Sequence, residues 1–206
     1  AKFCSECATP LSGGAPRAAA TPSTAPAVDA TPPEAVAERR VVSVLFADLV
    51  GFTAYSEGRD SEDVRELQTN YFEMVREIIG RYGGTVEKFI GDAVMALWGA
   101  PVAREDDAER AVRAALDLVD AVRGLGPGIQ IRAGILTGEA TVTLGATNQG
   151  MVAGDIVNTA SRLQSAAAPS TVLVGEATQR AAGGAIVFEA ADDQVLKGKV
   201  SPVPSW

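Results

Sequence analysis

The stretch that decides the fold reads Val41-Val42-Ser43-Val44-Leu45-Phe46-Ala47-Asp48. Its β-branched, almost continuous apolar run is typical of a buried strand, which we expect to end at Asp48. After a short connection, apolar residues recur every three or four positions over 61–82. This spacing predicts an amphipathic helix, which Gly83-Gly84 stops.

After the first helix, the sequence predicts a hairpin and a second helix. Thr85–Ile90 and Ala93–Trp98 read as short strands on either side of a Gly-Asp turn. The second helix is expected over 105–123, because acidic residues crowd its start and an arginine and a glycine close it. The remaining segments are a predicted strand pair at 129–136 and 140–144, a third helix at about 155–167, and shorter strands at 172–174 and 186–189.

The order strand, helix, strand, strand, helix, strand matches the ferredoxin-like β-α-β-β-α-β motif, an antiparallel sheet with helices on one face. We therefore expect an α+β fold (an α/β sandwich), extended by C-terminal strands and a helix. A right-handed crossover makes the second strand parallel to the first, so both end at the same edge of the sheet. This topology brings Asp48 and Asp92 together, although they are far apart in the chain.

Two carboxylates at such an edge suit a hard cation. Mg²⁺ prefers oxygen ligands and takes one or two carboxylates, leaving its other positions to water and substrate phosphates. Each aspartate alone is also ordinary turn chemistry. Their convergence favours the metal interpretation, and a divalent ion would explain how an acidic protein binds an anionic substrate.

Three further features are candidates for ligand binding. The turn Gly51-Phe52-Thr53 exposes backbone N–H groups that suit phosphate oxygens. Asn158 and Arg162 stand four apart on a predicted helix and share one face, which is also common on a solvated surface. Lys88 lies in an otherwise apolar strand, either as a donor aimed at a ligand or as a lysine reaching solvent from an edge strand.

Composition excludes several classes of function. The 206 residues carry a net charge of −8, which argues against a nucleic-acid binder. The absence of histidine removes His-dependent catalytic triads and His-ligated metal sites. We see neither a membrane span nor a signal peptide in the sequence. Together these observations predict a cytoplasmic protein.

The chain divides near residue 39. Residues 8–38 hold six of the eleven prolines and no periodic apolar pattern, which predicts a disordered Pro/Ala-rich linker. Residues 39–206 alternate strand-like and helix-like segments and are expected to form one catalytic domain. Residues 1–7 contain the pair Cys4 and Cys7, which looks like half of a zinc ribbon.

Tetrahedral zinc needs four ligands, and this chain supplies two. A partner pair upstream of a processed or truncated N-terminus, or a second chain, would have to supply the others. Otherwise Cys4 and Cys7 bind nothing, and we expect no complete zinc site from this chain alone.

Three ordered motifs resemble those of the class III nucleotidyl cyclase catalytic domain, of the adenylate cyclase type. The likeness extends from about Arg40 to the C-terminus. Phe46–Thr53 is similar to the first metal motif, Glu87–Ala93 to the second, and Val157–Arg162 to the catalytic helix.

The resemblance implies that Asp48 and Asp92 hold two Mg²⁺ or Mn²⁺ ions per active site. These ions would activate the ribose 3′-hydroxyl of ATP and neutralise its phosphates while that hydroxyl attacks the α-phosphate, giving 3′,5′-cyclic AMP and pyrophosphate. Arg162 would stabilise the transition state and Asn158 would orient the ribose.

The resemblance also assigns substrate contacts. Arg132 and Lys197 match positions that grip the terminal phosphates. Lys88 matches the position that separates adenylyl from guanylyl cyclases, and an ammonium suits the acceptor N1 of adenine. The second base-recognition position falls on Met151, a weak acceptor, so we expect less strict selectivity for ATP.

Members of this family share each active site across a dimer interface. We therefore expect a homodimer in which Asp48 and Asp92 come from one protomer, and Lys88, Asn158 and Arg162 from the other. The alternatives are a guanylate cyclase of relaxed base selectivity and a catalytically silent module for nucleotide binding or dimerisation.

Overall fold

A computed structural model describes residues 36–144 and 152–206 of the chain. Cys4, Cys7, most of the predicted linker and Met151 lie outside the described residues. The strands of the described part are β1 (Val36–Val50), β2 (Thr85–Ile90), β3 (Ala93–Trp98), β4 (Gln130–Leu144), β5 (Val152–Ala153), β6 (Val172–Val174), β7 (Ala191–Gln194) and β8 (Val203–Ser205). The helices are α1 (Phe52–Ser56), α2 (Ser61–Arg81), α3 (Asp107–Val122), α4 (Asp155–Ala166) and α5 (Glu176–Ala182).

The central sheet has the ferredoxin-like strand order β2-β3-β1-β4, with β5 beyond β4. The four core strands pair antiparallel, whereas β6 adds to β4 in parallel. Because β1 and β2 both run antiparallel to β3, they run parallel to each other. The predicted α+β architecture is confirmed.

Helices cover both faces of this sheet. On one face α2 and α3 bury Leu45, Tyr71 and Leu118 in the larger apolar cluster. On the other face α4 packs Ala160 against a cluster that includes Phe46 and Met95. The ferredoxin-like core thus has its two helices on one side, as predicted, and α4 belongs to the C-terminal extension on the other.

The structure differs from the sequence-based prediction mainly in the lengths and positions of its strands. The expected pair 129–136 and 140–144 is one continuous strand, β4, because β1 begins at Val36 and pairs with β4 along its whole length. Residues 186–189 do not form the predicted strand, and Val187 is almost fully exposed. The short elements β5, α5, β7 and β8 were not predicted.

None of the helices in residues 36–144 and 152–206 is long and apolar enough to cross a membrane.

Candidate active site

The two aspartates lie at the same end of the sheet. Asp48 follows Ala47, whose partner on β3 is Val94, and Asp92 sits in the tight turn between β2 and β3. Gly91 in that turn has a left-handed φ of 65°, a conformation that glycine adopts without steric cost. The strand register therefore sets Asp48 beside the turn that carries Asp92.

The surroundings of Asp92 disfavour its ionised form. Burial raises the pKa of the Asp92 carboxyl, and the negative charge of Asp48 raises it further. A backbone hydrogen bond and the guanidinium of Arg132 act in the opposite direction. The net result is a pKa of Asp92 above its ordinary value, as expected for two carboxylates that share a half-buried site.

Arg132 links the carboxylates to α4. It is the cross-strand partner of Asp48, and its Nη2 donates to Asp48 Oδ2 at 3.2 Å. Its Nη1 donates to the backbone oxygen of Ser165 at 3.2 Å. The predicted phosphate-binding arginine thus lies at the aspartate pair, where a guanidinium suits phosphate oxygens.

The glycine turn after β1 leads into α1 without a side-chain cap. Gly51 is the N-cap of α1 with φ 85° and ψ 1°, and no side chain caps the helix. The first N–H groups of a helix have no intrahelical acceptor, so those of Phe52 and Thr53 make no hydrogen bond within α1. Thr53 is exposed and Phe52 half-buried, which leaves this backbone near solvent.

Arg162 belongs to a second group of residues on α4. Its guanidinium lies beside Gly198, where an added Cβ would stand 3.1 Å from Nη1. Its charge helps to lower the pKa of Asp155, and Asn158 lies exposed one turn before it. Within the described residues no hydrogen bond or ion pair joins Arg162 to Asp48 or Asp92.

The two predicted lysines differ in burial. Lys88 is half-buried on the edge strand β2 and pairs with Met95, so its side chain shares the sheet face that α4 covers. Lys197 is exposed and follows the buried Leu196 in the loop that touches Arg162. Neither lysine forms an ion pair with any residue of the described part.

Sequence reasoning did not single out Tyr71 as a residue of this site. It stands on the apolar face of α2 and is fully buried, yet its hydroxyl has no hydrogen-bond partner among the described residues. Burial raises its pKa strongly, and the charges of Asp48 and Asp92 raise it further. The one available signal was a tyrosine at a position where a phenylalanine would satisfy the apolar pattern.

The donor set fits a divalent cation that arrives with a substrate. The pair Asp48 and Asp92 supplies hard oxygen ligands, and a cation would relieve the repulsion that raises the pKa of Asp92. Within the described residues no cluster of three or more histidine, cysteine, aspartate or glutamate side chains could hold a metal ion. Two carboxylates match Mg²⁺ or Mn²⁺, whose remaining ligands are water and phosphate oxygens.

Several solved structures that are similar to this chain are nucleotidyl cyclases. The adenylyl cyclase CyaB from P. aeruginosa superimposes with a TM-score of 0.78 and 31% identity, covering 82% of this chain and 94% of that one. The guanylate cyclase domain of RhGC from Catenaria anguillulae, in complex with GTP, superimposes with a TM-score of 0.74 and 30% identity, covering 82% and 96%. Cyclases with either base preference therefore share this fold.

Sequence comparisons agree with the structural ones. Adenylate cyclase 1 of Rhizobium meliloti (strain 1021) is 40% identical over 137 residues, which are 61% of this chain and 21% of that protein. The first two curated relatives are matched over only about a fifth of their length, 21% and 17%. The family model described as the adenylate and guanylate cyclase catalytic domain matches residues 35–204. The chain therefore belongs to the class III nucleotidyl cyclases, through their catalytic domain.

Proposed function

We propose that the chain is an adenylate cyclase that converts ATP to 3′,5′-cyclic AMP and pyrophosphate in active sites shared between two copies of the domain. The observation that carries this proposal is the convergence of Asp48, Asp92 and Arg132 at one end of the sheet. Two carboxylates and a guanidinium beside an uncapped helix start form a site for a metal-bound polyphosphate.

In this proposal Asp48 and Asp92 hold Mg²⁺ or Mn²⁺, two ions per site. Such ions, when bound, neutralise phosphate charge and make the ribose 3′-hydroxyl easier to deprotonate. Arg132 and the backbone of Gly51–Thr53 contact the phosphates, and Lys197 contacts their terminal end. These contacts hold the triphosphate in line for displacement.

The reaction exchanges one phosphorus–oxygen bond for another. The ribose 3′-hydroxyl releases its proton to solvent and its oxygen attacks the α-phosphorus, while the bond from that phosphorus to the bridging oxygen breaks and pyrophosphate leaves. Arg162 donates to the phosphate oxygens that gain charge in the transition state, and Asn158 orients the ribose. Fixed donors of this kind stabilise a transition state without reorganising.

Within the described residues no hydrogen bond or ion pair joins Arg162 to the aspartates, which supports a homodimer. Arg132 accompanies the aspartates, whereas Arg162 contacts Gly198 beside Lys197. If each site takes its metal half from one protomer and its α4 half from the other, a symmetric dimer contains two equivalent sites.

Lys88 supports ATP as the substrate. Its ammonium can donate to the acceptor N1 of adenine, whereas N1 of guanine carries a proton and opposes a donor. The name of the R. meliloti relative agrees with this preference. A guanylate cyclase is the second candidate, because the guanylate cyclase domain of RhGC, with GTP bound, is about as similar in structure as CyaB.

Product identification tests the function. Purified protein is incubated with ATP or GTP and with Mg²⁺ or Mn²⁺, and the cyclic nucleotide is identified by chromatography and mass. We expect cyclic AMP as the main product. More cyclic GMP from GTP than cyclic AMP from ATP would favour the second candidate. No cyclic product from either nucleotide would contradict both candidates.

Arg162→Ala tests the assigned transition-state role. We expect kcat to fall on the order of 10²–10³-fold, the loss typical of one transition-state donor. Arg180→Ala is the matched control, because Arg180 is an exposed arginine in an ion pair with Glu176 on α5. A fall of less than tenfold for Arg162→Ala would remove the residue from this role.

A further inference from the structure

A short loop near the C-terminus carries one of the proposed phosphate ligands. This loop, Leu196–Lys199, is called the lysine loop below. Leu196 is buried, and the backbone N–H of Lys199 donates to the oxygen of Leu196 at 3.0 Å. Lys197 is exposed between these two points. The position of Lys197 therefore depends on how the lysine loop is attached to the rest of the domain.

The far end of the lysine loop is attached to the start of α4. Lys199 Nζ donates to Asp155 Oδ2, and this hydrogen bond is the main cause that lowers the pKa of Asp155. Asp155 is the first residue of α4, and its backbone oxygen accepts from Thr159 Oγ1 at 2.9 Å. The ion pair thus joins the lysine loop to the helix that carries Asn158 and Arg162.

The middle of the lysine loop lies against Arg162. Gly198 has a φ of 80°, and an added Cβ would stand 3.1 Å from Arg162 Nη1. A side chain at this position would be strained and would press on the guanidinium. The close approach means that the lysine loop forms one wall around the Arg162 side chain.

We propose that Lys199 and Asp155 are positioning residues, whose ion pair holds Lys197 and Arg162 in the geometry that serves catalysis. The inference rests on the proposed cyclase function and deepens it. Lys199 and Asp155 contact neither phosphate nor ribose in this account; they act through the two residues that do. The ion pair belongs to the α4 half of the shared site, not to the metal half.

The size of the effect follows from the exposure of the pair. The Asp155 side chain is 74% exposed and that of Lys199 is 27% exposed, so solvent screens their attraction. We expect Lys199→Met and Asp155→Asn each to lower kcat/KM for ATP about three- to fivefold, the range that an exposed ion pair supports. The double variant should be no worse than either single variant, because the pair acts as one unit.

Two variants separate positioning from general effects. Lys199→Arg keeps the charge and the donors and should retain at least half of the wild-type kcat/KM. Arg113→Met breaks a matched ion pair, with Glu109 on α3, on the sheet face opposite α4 and should leave kcat/KM unchanged. A Lys199→Met value within 1.5-fold of the Arg113→Met value would overturn the proposal, and so would additive losses in the double variant.

Heterodimers test which half of the site the pair serves. Protomers with different affinity tags are co-expressed, and heterodimers are purified over both tags. Lys199→Met paired with Asp48→Ala leaves one site whose α4 half is intact, and its KM for ATP should equal that of the wild type. In the heterodimer of Lys199→Met with Arg162→Ala, the one working site contains the impaired lysine loop. The kcat/KM of this heterodimer should therefore show the three- to fivefold loss expected for Lys199→Met. Equal values for both heterodimers would contradict the assignment.

Hydrogen exchange tests the attachment without any activity. The amides of residues 195–200 should exchange faster in Lys199→Met than in the wild type, and Arg113→Met should leave them unchanged. Unchanged exchange in Lys199→Met would refute the positioning role even in an active enzyme. Conversely, a wild type that forms no cyclic nucleotide but shows faster exchange in the variant would refute the proposed function and retain the attachment.

Discussion

Asp92 combines a destabilising charge with a proposed role in cation binding. Folding raises the pKa of its carboxyl through burial and through Asp48, so the ionised form costs stability that would return as the pH falls toward that pKa. Asp92→Asn removes this charge at neutral pH. We expect a Tm about 1–3 °C higher than that of the wild type when divalent ions are chelated.

Divalent ions should reverse this order. Mg²⁺ or Mn²⁺ with a nucleotide raises the Tm of a protein that binds it in the folded state alone. The control Asp120→Asn changes an exposed ion pair on α3. Its Tm should rise as much as that of the wild type, whereas the Tm of Asp92→Asn should not rise. An unchanged increase in Asp92→Asn would show that Asp92 does not bind the ion.

Tyr71 carries a hydroxyl that the folded protein buries without a partner in the described residues. An unsatisfied buried polar group costs about 1–3 kcal/mol, so Tyr71→Phe should stabilise the chelated protein by about 1 kcal/mol in urea unfolding. Tyr82→Phe is the opposite case, because the Tyr82 hydroxyl donates to Asp117 at 2.9 Å. That variant should lose stability. If Tyr71→Phe also loses stability, the Tyr71 hydroxyl is bonded in solution.

At the scale of elements, the contact between β4 and α4 fixes the position of α4, the helix that carries Asn158 and Arg162. A Cβ on Gly134 would lie 2.3 Å from the backbone nitrogen of Gln164, a distance that no packed structure tolerates. Gly134→Ala should therefore destabilise the domain by about 3 kcal/mol or more, since neither the strand nor the helix can move freely.

A second glycine provides the control for this prediction. Gly80 lies exposed within α2, and its added Cβ would meet nothing within 4 Å. Gly80→Ala should stabilise the protein by about 0.5–1 kcal/mol, because alanine is the better helix former. Urea unfolding of both variants measures the difference. A Gly134→Ala protein as stable as the wild type would mean that α4 does not pack on β4 as described.

Elements with strong local signals could be predicted from the sequence. The bounds of β2 and β3 follow from two apolar runs around one glycine turn, and α2 follows from its apolar spacing and from Asp60, whose side chain caps it. The continuity of β4 could not be predicted. Gly138 looks like a turn residue locally, but the ladder with Val42 on β1 keeps it extended.

The candidate site divides in the same way. The meeting of Asp48 and Asp92 follows from topology, because β1 and β2 are parallel and end at the same edge of the sheet, near which both aspartates lie. The lone hydroxyl of Tyr71 and the ion pair of Lys199 with Asp155 could not be predicted. They depend on side-chain burial and on the path of a loop, which no periodicity encodes.

At the scale of the whole molecule, the proposed function divides the residues of the site into two groups within one chain. The aspartates and Arg132 form one, and α4 with the lysine loop forms the other, with no hydrogen bond or ion pair from Arg162 to the aspartates in the described part of the chain. Under the proposed function, a catalytic unit requires two copies that exchange halves. Asp48→Ala and Arg162→Ala homodimers should each be inactive, because each loses the same half in both sites.

Mixing these two variants tests the account most directly. Co-expressed Asp48→Ala and Arg162→Ala protomers, purified as heterodimers over two tags, contain one site with both halves intact. We predict recovery of about half the wild-type rate of cyclic AMP formation per dimer, since one of two equivalent sites is restored. Heterodimers that form but make no cyclic AMP, from protomers that are folded by circular dichroism, would contradict the shared site.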